Sequence, residues 1–201
     1  LSFTGMDGSL LTDGPVSVQI TVEDANGNQS IFGGTEALKD TIAPSVPTSA
    51  SVAPGATNDA HFINLTNLNN VVIAVDLPSD YRGLEQVTVT LAGGASISHS
   101  ILAPTYGGTI QIGHINAAAL SDGTVTISVD VMDPAGNSVN FTGTPCFKDT
   151  TPPADPTSIA IPSGASNPAN VINNQTDTAV DVVVNYDASM TGTETAILSL
   201  T

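Results

Sequence analysis

The sequence has no tryptophan, one cysteine, and only three cationic side chains, Lys39, Arg82 and Lys148, set against 19 Asp and Glu. A lone cysteine cannot close a disulfide within the chain, so Cys146 is expected to be a small buried hydrophobe and the fold to rest on its apolar core. The formal net charge of -16 comes from missing base more than from abundant acid. Three cations cannot neutralise a run of phosphates, which excludes nucleic acid and anionic membrane as partners. No apolar run approaches the roughly 18 residues of a membrane-spanning helix, so no direct membrane insertion is expected. The first residue is Leu1 and no basic leader with an apolar core follows it, so the chain is read as a piece of a longer protein whose secretion signal lies elsewhere.

Catalytic patterns are missing as well. His61, His99 and His114 are far apart and lack the HExxH spacing, and each is expected on a strand as a surface or half-buried residue. There is no GxSxG elbow, P-loop or paired-carboxylate arrangement. The Gly33 and Gly34 pair lacks the form of a calcium-binding β-roll, and the turn at Asp24 lacks the glycine and glutamate positions of an EF-hand. These gaps point away from an enzyme.

What the sequence does contain is a repeat. At an offset of 109 residues, about 29 of the 92 overlapping pairs are identical without a gap, as in repeat architectures. Leu11, Asp13, Gly14, Val16, Val22, Asp24, Gly27 and Asn28 recur as Leu120, Asp122, Gly123, Val125, Val131, Asp133, Gly136 and Asn137. Lys39, Asp40, Thr41, Pro44, Pro47 and Thr48 recur as Lys148, Asp149, Thr150, Pro153, Pro156 and Thr157. The expected organisation is the C-terminal part of one repeat in residues 1–40, a complete repeat in 41–149, and the N-terminal part of the next in 150–201. The boundaries are short, stiff linkers, because their prolines fix backbone angles and cannot continue a sheet ladder.

Apolar residues within the repeat recur every second position. Val125, Ile127, Val129 and Val131 alternate with Thr126, Ser128, Asp130 and Met132, and Val16, Val18, Ile20 and Val22 repeat the pattern. Such alternation marks strands with one buried and one wet face. Further strands are expected at Val87–Leu91, Val71–Val75 and Ile110–Ile112, separated by Gly, Pro, Asn and Asp clusters. About seven short strands per repeat predict an all-β chain of tandem immunoglobulin-like Greek-key β-sandwich domains.

The stretch LSDGTVTISVDVMDPAGNSVNFTG closing in KDTTPPADPT, and its first copy LTDGPVSVQITVEDANGNQS followed by KDTIAPSVPT, resemble the bacterial Ig-like repeats of large extracellular adhesins and biofilm-associated surface proteins. The first copy departs from the usual pattern at Pro15. The resemblance implies a non-catalytic, extracellular or cell-surface spacer that forms a stalk with neighbouring repeats, and calcium at the domain junctions. The acids point the same way. In such a sandwich Asp40, entering a domain, lies near that domain's Asp133 and Asn137, with Asp76 or Asp80 available from a neighbouring turn. The same logic places Asp149 near Asp187 in the next copy. Calcium takes six to eight oxygens from carboxylates, amides, carbonyls and water. The competing reading is that Asp, Asn and Gly stand there because turns need them. Asp13 is read only as a turn residue. Two other readings of the whole stay open: a surface-layer or sheath subunit packed against other copies, and a spacer or binding module of a secreted hydrolase.

Overall fold

The computed structural model describes every residue except Thr57, Tyr106 and residues 187–193. The chain divides into two compact units, Leu1–Thr150 and Thr151–Thr201. Strands are its only regular elements among the described residues, as alternation without helical periodicity requires. The fold is all-β.

The first unit opens with β1 (Gly14–Val16), β2 (Gln19–Glu23), β3 (Gln29–Gly33) and β4 (Ala37–Lys39). β2 and β3 form an antiparallel hairpin, and β1 pairs antiparallel with β4. The strand expected as continuous from Val16 to Val22 is interrupted at Ser17 and Val18. Its equivalent β11, below, runs ten residues unbroken and is held along both edges, whereas β1 and β2 are held along one.

There follow β5 (Ser49–Val52), β6 (Phe62–Ile63), β7 (Val71–Leu77), β8 (Gln86–Gly93), β9 (Ala95–Leu102), β10 (Gly108–Ile115), β11 (Gly123–Met132), β12 (Ser138–Thr142) and β13 (Cys146–Lys148). One sheet has the order β10-β7-β5 and the other the order β6-β13-β11-β8-β9, with β12 also pairing β11. Consecutive strands cross between the sheets at β5 to β6, β6 to β7, β7 to β8, β9 to β10 and β10 to β11, which makes a Greek-key sandwich. β6 runs parallel to β13, which sets the second strand of the sandwich beside its last.

Among the described residues the hydrophobic core cluster runs from Ala50 to Cys146. Val125, Ile127, Val129 and Val131 of β11 face Val87, Val89 and Leu91 of β8, all essentially inaccessible, and the sheet containing Ile73 and Val75 closes over them. Cys146 sits in this core as the small buried hydrophobe expected, and burial pushes its thiol up to about 11. His61 and His114 are exposed and His99 is half-buried.

In the second unit, β14 (Ser158–Ala160) pairs antiparallel with β15 (Val183–Asn185). The repeat is visible in strand register as well as in sequence. Ile159 pairs with Val184 as Ala50 does with Val75, and Ile20 pairs with Phe32 as Val129 does with Phe141. Burial differs, because Ile20 is 37% and Val22 61% exposed where Val129 and Val131 are at 0%.

Candidate functional site

The segment Asp40–Pro47 is tied to the chain on both of its sides. On the preceding side, the Thr41 amide donates to Asp13 Oδ2 at 3.1 Å, and its hydroxyl donates to both oxygens of the same carboxylate. Lys39 Nζ donates to the carbonyl of Leu11 and stands 3.9 Å from Asp13. Asp13 is therefore more than a turn residue.

The second copy of this latch is tighter. Lys148 is 4% exposed, and its Nζ donates to the Leu120 carbonyl at 2.9 Å and to Asp122 Oδ1 at 2.8 Å. The Thr150 amide and hydroxyl donate to Asp122 at 3.1 and 3.0 Å. The Lys148 hydrogen bond, followed by that of the Thr150 amide, lowers the Asp122 carboxyl to about 2. A buried ammonium needs a carboxylate and a carbonyl to replace its water, and this latch supplies both. Gly123, at φ 120°, turns the chain from Asp122 into β11 in a conformation that favours glycine.

On the following side, Tyr81 is buried and its hydroxyl donates to the carbonyl of Ser45 at 2.6 Å. Burial first, then the charges of Asp80 and Glu85, push the phenol up to about 12. Ser45 Oγ donates to Asp80 Oδ2 at 2.5 Å. Asn137 Nδ2 donates both to the main-chain carbonyl of Asp40 at 3.2 Å and to Asp133 Oδ2 at 2.9 Å.

Asp40, Asp133 and Asn137 thus meet, but through the Asp40 carbonyl and an amide nitrogen. Asp133 also accepts from the Asn137 amide at 2.9 Å, and these bonds, the side-chain one foremost, lower its carboxyl. Asp24 and Asn28 form the same self-satisfied turn in the first copy, so the motif closes without any linker beside it. Gly136, at φ 93°, supplies the left-handed position. Asp80 reaches the segment only at Ser45. Asp76 accepts from Ser49 Oγ at 2.6 Å and from Thr109, binding β5 and β10 to β7. Asp149 extends the β13 pairing by donating its amide to Ile63 at 2.9 Å, beside a groove that also contains Asn58, Asp59 and Asn64. Asp187 lies outside the described residues.

A groove lined by Asp13, Asp40, Glu85 and Asp133, with Lys39 and Arg82 as its cations, runs along the tied segment. The donors here are hard oxygens of the kind calcium takes: the Asp133 carboxylate, the Asp40 carbonyl, and the Asn137 side-chain oxygen if the amide turns over. Among the described residues no group of three or more His, Cys, Asp or Glu gathers as for a metal. These oxygens are of the types calcium accepts, and the Asn137 amide nitrogen donates to two of them.

The latch residues Asp122, Lys148 and Thr150 were legible in the sequence as a signal that the search for metal ligands passed over. Two of only three cations stand 109 residues apart, each 26 residues after an Asp-Gly and two before a Thr.

No family model matches the chain, and no curated protein matches it. Among solved structures it is similar to a tetra-tandem repeat in the extending region of a large adhesion protein, at 18% identity and a TM-score of 0.44 over 93% of this chain and 52% of that one. It is also similar to a Ca2+-stabilized adhesin that helps an Antarctic bacterium reach out and bind ice, at 20% identity and a TM-score of 0.39 over 73% of this chain and 34% of that one. The chain therefore spans about half or less of the structures it matches, and both are adhesins.

Proposed function

We propose that the chain is a non-catalytic spacer of a long repetitive cell-surface or secreted protein, with repeats following one another across joints that resist bending. The observation that carries this reading is the segment Asp40–Pro47, which Asp13 holds to the preceding strands while Asn137, Tyr81 and Asp80 hold it to the following sandwich. Each tie is an ordinary hydrogen bond contributing about 1 kcal/mol, but together they fix several consecutive residues that prolines already restrict. The repeat unit is residues 41–149, with 1–40 and 150–201 belonging to its neighbours. A stalk that extends an adhesive or assembly region needs this mechanical property and no chemistry.

Calcium is the finer part of the reading: an ion on Asp133, the Asp40 carbonyl and the Asn137 oxygen would replace the amide bridge and offset the repulsion among the groove acids. The test is the melting temperature of the 201-residue chain in rising calcium against chelator, since a ligand of the native state alone must raise it. A calcium-dependent rise that Asp133→Asn abolishes supports the ion. No shift at millimolar calcium would leave the hydrogen bonds as the sole ties.

A further inference from the structure

We infer that the free edge of β9 is a homophilic pairing surface, where β9 of one copy adds antiparallel to β9 of a second copy and joins their sheets. The inference goes beyond the spacer reading and stands on the complete sandwich alone. Between Glu85 and Asp122 the sequence has no Asp, Glu, Lys or Arg, although the chain carries a formal charge of -16. Strands β8, β9 and β10 all lie in that stretch, and β9 and β10, which touch, end the two sheets. Copies of so acidic a molecule repel one another, and this uncharged side is where two of them approach with the least cost.

On that side β9 is the edge left open. β10 is interrupted by a register shift between Ile112 and Ile115. Elsewhere β5 has four residues and its Ala50 carbonyl already accepts from the Thr144 amide, and β6 has two residues. β9 runs eight residues in unbroken register with β8, without the proline, bulge or charge that blunts an edge. The Ala103 amide donates to the Glu85 carbonyl at 2.8 Å, so the odd-numbered residues of β9 turn their main-chain groups toward β8. Ser96, Ser98, Ser100 and Leu102 turn theirs to the outer edge, where no strand among the described residues meets them.

The occupant follows from the sequence of β9, ASISHSIL, which is complementary to itself. About a two-fold axis at His99, Ser98 stands opposite the second copy's Ser100, Ser96 opposite its Leu102, and Ile97 opposite its Ile101. The first two of these are pairs whose outward amides and carbonyls bond each other. On the wet face the Thr88 and Ser100 hydroxyls bond at 2.8 Å, as do those of Thr90 and Ser98, and the pairing of Ser98 with Ser100 carries this ladder into the second copy. On the other face Ile97 and Ile101, partly buried against the core, cover their counterparts. A slip by one or two residues loses both isoleucine pairs, so the pattern sets the register.

Sedimentation of the 201-residue chain tests this. The wild type should pass from monomer toward dimer as concentration rises, with the weak affinity of a small interface. Ser98→Pro deletes an outward amide that the single sandwich does not use, and Ser98→Asp with Ser100→Asp sets carboxylates opposite one another only in the pair. Both should weaken dimerisation about tenfold or more and leave the melting of the sandwich in place, while Ser98→Thr should associate as the wild type does. Oxidation of His99→Cys should link two chains, because residue 99 faces its own counterpart at the closer type of antiparallel pair. Ser96→Cys, set roughly 20 Å from its counterpart in this register, should not link. Cys146 is buried and does not compete. A wild type that stays monomeric, as it would if this edge took an extended segment of another protein, would overturn the inference. So would association that the β9 variants leave unchanged, or linking by both cysteines alike.

Discussion

Lys148 carries one of three positive charges in the chain, and almost none of it reaches solvent. Replacing it by methionine keeps most of the apolar stem but leaves the Leu120 carbonyl without the Lys148 donor and Asp122 with only its Thr150 bonds. Lys148→Met should therefore cost about 1–3 kcal/mol of sandwich stability, measured by urea unfolding. Asp122 gives the same latch a pH signature. Its carboxyl is depressed to about 2, so its contribution is complete above the ordinary aspartate value and is lost as pH falls through the folded value. The amide resonance of Thr150, followed by NMR, should keep its latched position to well below pH 3.8 and move only toward pH 2. In Asp122→Asn that low-pH step should vanish. A Thr150 titration centred at the ordinary aspartate value would show that the latch is open in solution. None of this was visible from turn chemistry alone, because Asp-Gly before a strand is what a turn requires whether or not a lysine 26 residues later returns to it.

At the level of the strand, alternation in sequence was a sufficient guide wherever two sheets meet. The sequence phase of β11 places Val129 inward and Asp130 outward, and the structure has Val129 at 0% exposure and Asp130 accepting from Asn140 Nδ2 at 2.9 Å on the wet face. Val129→Asp should cost about 3 kcal/mol or more by driving an unpaired carboxylate into the core, whereas Asp130→Asn should stay within about 0.5 kcal/mol. Thermal unfolding of the two variants side by side decides it, and equal losses would mean that the strand phase is wrong. Less legible was anything that depends on a partner strand distant in sequence. The parallel β6-β13 pair sets Ile63 beside Lys148, 85 positions later in the chain. The convergence of Asp40 with Asp133 and Asn137 was readable because a sandwich puts the entering chain beside that turn. That the meeting runs through a carbonyl and an amide nitrogen was not, since side-chain identity says nothing about which atom faces inward.

For the molecule as a chain of repeats, the ties on Asp40–Pro47 separate two properties that a single melting curve would merge. The core of the sandwich is made by residues between Ala50 and Cys146 and does not include Asp13, Thr41 or Ser45. Cutting the ties should accordingly loosen the joint while the core keeps its stability. Asp13→Ala removes the acceptor of the Thr41 amide and hydroxyl, exposed groups that water can satisfy, so its effect on the core should fall within about 0.5 kcal/mol. Asn137→Ala removes the bridge to the Asp40 carbonyl and half of the support of the Asp133 turn, at about 1 kcal/mol. In the double variant, backbone relaxation of residues 40–47 should show order parameters falling toward those of a loop, and residual dipolar couplings of the β2-β3 hairpin should shrink relative to those of β7 and β11. Both readings should be unchanged in Asp130→Asn, which removes an exposed acid of the same kind from a wet sheet face. A double variant as ordered as the wild type would assign the stiffness of the segment to its prolines, and the hydrogen bonds would then be consequences of a geometry already fixed by Pro44 and Pro47.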